Sequence, residues 1–202
     1  MNQSTRFYKV CFTIAAIILK IFYRLKYIGT ENIPDGATMI CVNHSGITDP
    51  FLVAMAFGRN CQLYIVTKAE LFRIPVISTI LRKLDTISIE RGTSDLKSVK
   101  TILGYLKTDN KVLIFPEGTR VAKDDEAAAK NGAIKLAERA NVPILPVYIP
   151  RKKLLFRTVP IVIGESYTLE KTGEKRTAED YTLLSDALMQ KIRSLNPSGK
   201  QI

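Results

Sequence analysis

Short apolar segments alternate with amphipathic segments along this chain. Six segments are predicted as strands: ATMICVN, QLYIVTK, DTISIER, KVLIF, VPILPVYI and TVPIVIGESY. Between them, apolar residues recur at the spacing of a helix. Short, nearly all-apolar strands that alternate with helices are typical of a buried parallel sheet. The pattern therefore predicts an α/β fold with a mostly parallel central sheet flanked by helices.

Several predicted helices begin with recognisable capping residues. Asp49 followed by Pro50 predicts an N-cap and a first helical residue, and Ser94 and Thr177 are predicted caps of two later helices. Another predicted helix spans DDEAAAKNGAIKLAERA, and Pro75 interrupts a further helical segment. In such folds, functional sites gather where strands end and loops begin. Polar clusters at the ends of the predicted strands are therefore the candidate functional residues.

The N-terminal segment, Phe7 to Gly29, is strongly apolar but carries several cations. Its uncharged stretch, Val10 to Leu19, has ten residues, whereas a membrane span needs about 20. We therefore predict an amphipathic membrane-associating helix lying in the interface, with a buried core helix and a true span as the alternatives. The predicted organisation is a membrane-interface helical segment over residues 1–29 and one globular domain over residues 30–202.

The composition favours anionic partners. The net charge is +11 and the isoelectric point is about 9.6, which suits nucleic acid, an acidic membrane or a phosphorylated substrate. The chain carries no recognised nucleic-acid motif, so no nucleic-acid partner is predicted. The cysteines, Cys11, Cys41 and Cys61, are odd in number and form no CxxC pair. With a single histidine besides, neither a disulfide framework nor a metal site is expected.

The single histidine, His44, follows a predicted strand and precedes Asp49 by five positions. An imidazole can take a proton from a hydroxyl near neutral pH, and a carboxylate on its other ring nitrogen fixes the tautomer. Residues five apart do not face each other on a helix, so the pair requires a turn. The alternatives are a helix-capping Asp49 and an ordinary loop histidine. Ser45 and Thr48 are weaker candidates for a nucleophile.

Two further polar clusters follow predicted strands. In FPEGTR, residues 115–120, Gly118 lets the backbone approach a ligand closely and Arg120 offers a planar fork for phosphate. In TISIERG, Arg91 stands just past a strand, where its guanidinium group can reach a neighbouring pocket. An ordinary charged turn and an exposed arginine are the alternatives.

These clusters together resemble a known family. NHSGITD resembles the N-H-x-x-x-x-D motif of the glycerolipid acyltransferases, and FPEGTR is similar to their second hallmark. DTISIER is similar to a third motif except at Asp85 and Ser88, where glycine and phenylalanine are usual, and VPILPV is similar to the last. The resemblance covers roughly residues 30–165 and is greatest to bacterial 1-acylglycerol-3-phosphate acyltransferases.

The resemblance implies a role for each matched residue. His44 would deprotonate a glycerol hydroxyl that attacks an acyl thioester, and Asp49 would orient His44. The acceptor-binding residues would be Arg91, Glu117, Gly118, Thr119 and Arg120, the two arginines holding phosphate. Neither a covalent acyl-enzyme nor a cofactor or metal is implied.

The implied substrates are lysophosphatidic acid, which would become phosphatidic acid, and a donor that is either acyl-CoA or acyl carrier protein. An anionic membrane surface is an expected partner, with peripheral or monotopic attachment at the cytoplasmic face of the cell membrane. The alternatives are glycerol 3-phosphate or another lysophospholipid as acceptor, and a non-catalytic lipid-binding protein. The segment RKKLLFR, residues 151–157, would dock on headgroups or donor, unless it is a solvated run of charge.

Overall fold

The computed structural model describes residues 3–90, 95–123, 129–173 and 175–197. The helices are α1 (Gln3–Phe22), α2 (Asp49–Phe57), α3 (Pro75–Lys83), α4 (Leu96–Lys107), α5 (Gly132–Ala140) and α6 (Ala178–Ser194). The strands are β1 (Arg24–Ile28), β2 (Thr38–Val42), β3 (Leu63–Lys68), β4 (Ile87–Ile89), β5 (Lys111–Ile114), β6 (Ile144–Tyr148) and β7 (Thr158–Ile163). Short 3₁₀ turns occur at Thr30–Asn32 and Ala69–Arg73.

The strands form one sheet in the order β1-β7-β6-β2-β5-β3-β4. Within the described ranges, every neighbouring pair is parallel except β6 and β7, which are antiparallel. The predicted α/β fold with a mostly parallel sheet is confirmed.

The central strands separate two hydrophobic layers. Alternate residues of β2 point to opposite faces, so Met39 and Cys41 join one layer while Ile40 and Val42 join the other. Residues of α4, α5 and α6 complete the first layer, and residues of α1 and α2 complete the second. Because β2 is buried on both faces, its sequence is a continuous apolar run rather than an alternating one.

The helical prediction for residues 1–29 is wrong beyond Phe22. Arg24–Ile28 forms β1, which pairs in parallel with β7 along its whole length. Charged and apolar side chains alternate in Arg24, Leu25, Lys26 and Tyr27, and this period of two suits an edge strand with one half-buried face. The segment is therefore one helix followed by one strand of the sheet.

Other element boundaries also differ from the predictions. The cap of α4 is Asp95, whose carboxylate accepts the backbone N–H of Ser98 at 3.0 Å; the predicted cap, Ser94, lies outside the described residues. Helix α5 begins at Gly132, since Lys130 and Asn131 are not helical. At α6 the predicted cap is confirmed: Thr177 and Asp180 form a reciprocal capping box.

Helix α1 is apolar on two opposite faces. Tyr8 and Leu19 are buried against the domain, where α1 packs on α2 and α3. The residues facing outward are 48–61% exposed and recur at helical spacing: Val10, Ile14, Ile17, Ile18 and Ile21. An apolar outer face is unusual for a helix on a water-facing surface.

Among the residues that the structure describes, no helix has both the length and the apolar character needed to cross a membrane.

Candidate active site

Three loops meet at one edge of the sheet. Strands β6, β2 and β5 are adjacent and parallel, so their carboxyl ends lie side by side. The loop after β2 carries His44 and leads to Asp49, the first residue of α2. The loop after β5 carries FPEGTR, and the loop after β6 carries Arg151 and Lys153. The buried Asn43 ties two of these ends together: its amide donates to the carbonyl of Ile149 at 2.7 Å and accepts the N–H of Ile149 at 2.8 Å.

His44 and Asp49 form a direct pair. The Nδ1 of His44 lies 3.0 Å from Oδ2 of Asp49, whose side chain is fully buried. The backbone N–H groups of Ser45 and Gly46 donate to the same oxygen at 2.7 and 2.8 Å. The turn thus brings together residues that a regular helix would separate. Asp49 is not the cap of α2, because Thr48 holds that position and the Asp49 carboxylate accepts amides of the preceding loop.

Lys153 provides a second partner for Asp49. Its Nζ lies 2.8 Å from Oδ1 of Asp49 and also donates to Oγ of Ser45 at 2.8 Å and to the carbonyl of Pro150 at 3.0 Å. Burial alone would raise the pKa of Asp49, but the hydrogen bond from His44, the charge of Lys153 and the Gly46 amide hold it below its usual 3.8. An ionised carboxylate accepts, so Nδ1 of His44 carries the proton and Nε2 becomes the acceptor.

The imidazole ring of His44 is fixed by stacking and remains partly exposed to solvent. It stacks on the ring of Phe115, with centroids 4.0 Å apart and planes inclined by 24°. The side chain of His44 remains 19% exposed. In its neutral form, a fixed and partly open imidazole with this tautomer is suited to accept a proton from a bound hydroxyl.

A second buried carboxylate, Glu117, holds the loops in place. Arg151 donates to both of its oxygens, and the backbone N–H of His44 donates to Oε2 at 2.9 Å. The same guanidinium group donates to the carbonyls of His44 at 3.2 Å and Val121 at 2.9 Å. The N–H of Val121 donates to the carbonyl of His44 at 2.8 Å. Glu117 and Arg151 therefore fix the backbone on which the imidazole stands.

Comparison with known proteins identifies the family. A family model described as Acyltransferase matches residues 24–150, which is more than half of the chain. The chain belongs to the acyltransferase family.

Curated relatives agree with this assignment, and a solved structure shares the fold. A 1-acyl-sn-glycerol-3-phosphate acyltransferase of Bacillus subtilis is 28% identical over 201 residues, which cover 96% of this chain and all of that protein. One of Borreliella burgdorferi is 32% identical over 183 residues, covering 83% of this chain and 71% of that protein. The fold is similar to the crystal structure of the 1-acyl-sn-glycerophosphate acyltransferase PlsC from Thermotoga maritima, with a TM-score of 0.65, 23% identity and coverage of 96% of this chain and 78% of that one.

The predicted acceptor-binding residues of this acyltransferase differ in their surroundings. Glu117 is buried, with its carboxylate bound by Arg151 and the amide of His44. Gly118 has a φ of 67°, and the side chain of Lys130 passes so close that a Cβ atom there would lie 2.9 Å from it. Thr119 and Arg120 are exposed, beside Val121 in the same loop. Arg91 lies outside the described residues.

One departure of this acyltransferase from the family motif has a structural explanation. Asp85 stands where the motif has glycine, and its φ of 51° lies in the left-handed region. Glycine adopts this conformation freely, and aspartate is one of the few other residues that tolerate it. The turn before β4 is thus kept with a different side chain.

Sequence reasoning missed Arg151 and Lys153 as members of the site. The sequence predicts that RKKLLFR is either a docking segment or a solvated run of charge, but the side chains of Arg151 and Lys153 are each only 7% exposed. The intervening Lys152 and the later Arg157 are exposed. No local signal distinguished them, because Arg151, Lys152 and Lys153 are three consecutive cations.

Proposed function

We propose that this acyltransferase transfers a fatty acyl group from an acyl thioester to the free hydroxyl of 1-acyl-sn-glycerol 3-phosphate, giving phosphatidic acid in phospholipid biosynthesis. The observation that carries the chemistry is the His44–Asp49 pair on a partly open ring. The acceptor is suggested by the relatives of Bacillus subtilis and Borreliella burgdorferi, which are named for it.

The proposed reaction uses His44 as the base and Asp49 as its orienting group. Nε2 of His44 takes the proton of the acceptor hydroxyl as its oxygen attacks the thioester carbonyl, and Asp49 stabilises the imidazolium that forms. The carbon–oxygen bond forms, the carbon–sulfur bond breaks, and the imidazolium returns its proton to the leaving thiolate. The hydroxyl of Ser45 accepts from Lys153 and is not needed as a nucleophile.

The acceptor phosphate requires cations near His44. Arg120 is exposed and follows the loop segment that Glu117 anchors, one residue before the Val121 amide that bonds to the carbonyl of His44. We assign Arg120 to the phosphate together with Arg91, and we assign Gly118 and Thr119 to the wall of the acceptor site. Glu117 contributes indirectly, by holding this wall against the loop of His44.

Both substrates connect the enzyme to anionic surfaces. The outward face of α1 is apolar and Lys20 near its end is exposed, which supports peripheral or monotopic attachment to an anionic bilayer. We place this attachment at the cytoplasmic face of the cell membrane, where acyl-CoA or acyl carrier protein supplies the acyl group. Both donors are acidic, and a net charge of +11 favours their encounter.

The test is a thiol-release assay with purified protein, acyl-CoA and a panel of acceptors in detergent. The panel contains lysophosphatidic acid, glycerol 3-phosphate, and a lysophospholipid whose phosphate carries a headgroup. We expect turnover to be highest with lysophosphatidic acid and absent in His44→Ala. Turnover confined to another acceptor would overturn the substrate assignment, and full activity of His44→Ala would overturn the role of the base.

The assignment of Arg120 and Arg91 to the acceptor phosphate is tested by the KM for the acceptor. Arg120→Ala and Arg91→Ala should each raise the KM for the acceptor by roughly tenfold or more, because a hydrogen bond to a charged group contributes about 1.5–3 kcal/mol. The KM for the donor should change much less. Equal changes in the two KM values would contradict the assignment.

A further inference from the structure

The loop between β6 and β7 combines two very different surfaces. At its base, Arg151 and Lys153 are buried in the active site. Immediately after them, Leu154, Leu155 and Phe156 are 53%, 55% and 63% exposed. We refer to these three residues as the apolar tip. The active-site chemistry described above makes no use of the apolar tip.

The apolar tip is continuous with the outward face of α1. The backbone N–H of Phe156 donates to the carbonyl of Phe22 at 2.6 Å, and the two rings have centroids 6.3 Å apart. Phe22 is itself 40% exposed, and Ile21 beside it is 61% exposed. The outward apolar face of the helix therefore extends onto the loop as one surface.

Water is an unfavourable environment for this surface. Isolated exposed apolar residues are common, but a contiguous group of large ones on a soluble protein marks an interaction site. Phe156 also has a φ of 61°, a conformation that bulky residues rarely adopt. The fold keeps this aromatic ring at the surface although its backbone conformation is costly.

The charges around the apolar tip suit an anionic lipid surface. Lys152 and Arg157 flank the tip and are exposed, and Lys20 and Arg24 are exposed near the end of α1. Apolar side chains surrounded by exposed cations are the pattern of a segment that enters the bilayer interface beneath anionic headgroups.

We propose that Leu154, Leu155 and Phe156 insert into the phospholipid surface beside α1 and form a second lipid-contact element. The proposal rests on the proposed function in one respect, namely that the acceptor is a membrane lipid. Consecutive Cα atoms are about 3.8 Å apart, so the element that enters the lipid adjoins Lys153, which binds Asp49. The hydroxyl of a lipid acceptor can then reach His44 while its acyl chain stays at the bilayer.

Insertion can be observed directly, because the chain contains no tryptophan. Phe156→Trp supplies a single fluorophore in the apolar tip. With vesicles of phosphatidylglycerol and phosphatidylcholine, we expect its emission to shift to the blue and to be quenched when the acyl chains carry bromine. The matched control is Leu183→Trp on α6. Leu183 is 68% exposed and lies on the opposite layer of the domain, so the emission of this tryptophan should not change.

The same vesicles give a second measurement. Leu154→Ser combined with Leu155→Ser should lower the vesicle partition coefficient by at least about tenfold, since two apolar side chains leave the lipid. Leu183→Ser is the control for a single loss of exposed leucine.

These outcomes separate the two proposals. An unquenched Phe156→Trp on protein that co-sediments with the vesicles would overturn the insertion, as would wild-type protein that fails to co-sediment at all. Neither measurement uses turnover. A failure of the proposed acceptor activity would therefore leave the quenching and partition measurements unaffected. Normal turnover together with an unquenched Phe156→Trp would overturn only the insertion of the apolar tip.

Discussion

Asp49 and Glu117 are chemically similar groups that the active site uses in different ways. Both are buried carboxylates at the carboxyl ends of adjacent strands, and each pairs with a cation from the loop after β6. Asp49 contacts the imidazole ring, whereas Glu117 contacts the backbone amide of the same histidine. We propose that Asp49 acts on the proton of the ring and that Glu117 acts on the position of the ring.

Under the proposed mechanism, burial and an ion pair do not by themselves mark a group involved in proton transfer. The deciding feature is which atom of the neighbouring residue the carboxylate contacts. Glu117 is held by a forked pair with Arg151, the geometry that best fixes two loops together. Asp49 shares one oxygen among three donors and offers the other to Lys153.

The largest effect is expected for Asp49→Asn. An amide cannot stabilise the imidazolium and can favour the wrong tautomer of His44, so kcat should fall by about 10³. The measurement is thiol release under saturating substrates. Lys153→Met added to Asp49→Asn should recover part of the lost stability by removing the unpaired cation, but none of the lost rate. A variant Asp49→Asn with near-normal kcat would remove the distinction between the two carboxylates.

Glu117→Gln should lower the stability of the protein more than its kcat, the reverse of Asp49→Asn. It leaves the buried Arg151 without a counter-charge, which is expected to lower the free energy of unfolding by about 3 kcal/mol. Urea denaturation measures this change, and kcat per folded molecule should fall less than about tenfold. Glu117→Gln combined with Arg151→Met should be more stable than Glu117→Gln alone. A rate loss as large as that of Asp49→Asn, without loss of stability, would place Glu117 in the proton-transfer chemistry.

Lys153→Met tests how far the cation that pairs with Asp49 supports the proposed role of that carboxylate. Removing the positive charge raises the pKa of Asp49, because that charge helps to keep the carboxylate ionised. We expect a roughly tenfold lower kcat and an acid limb of the rate profile displaced to higher pH. Lys152→Met is the matched control, since its exposed side chain neighbours the site without entering it. Superimposable acid limbs for Lys153→Met and wild type would contradict the role of the ion pair.

The smallest effect concerns stability in acid. The pKa of Asp49 is lower in the folded protein than its usual 3.8, so its contribution to stability is present above that pH and disappears as the pH falls through the lowered value. Below about pH 4, the free energy of unfolding should therefore decline more steeply for wild type than for Asp49→Asn. Thermal unfolding from pH 6 to pH 3 checks the slopes. Parallel curves would mean that the pKa of Asp49 is not depressed by folding.

The central strands and the pairing of His44 with Asp49 were predictable because their signals are local. Apolar runs such as those of β2 and β6 indicate buried strands directly, and the five-residue spacing from His44 to Asp49 required a turn, which is present. The sequence also predicted the loop of Glu117 as a polar cluster after a strand, but it did not predict the buried pair of Glu117 with Arg151.

The errors came from contacts between distant parts of the chain. Lys153 meets Asp49 across more than one hundred residues, and no local pattern states which loop the cations of RKKLLFR will enter. The strand character of β1 was hidden because the apolar helix before it and the cations within it suggested one continuous amphipathic segment. Its pairing with β7, 134 positions further on, decided the conformation instead.

The position of β1 at the sheet edge has a practical consequence for shortened variants. A truncation intended to remove α1 should stop before Arg24, because cutting at residue 29 would also remove β1 and leave the backbone N–H and C=O groups of β7 without their partner strand. Uncovered strand edges recruit other chains. Self-association of such a fragment would then report a broken sheet and would say nothing about how the intact protein meets lipid.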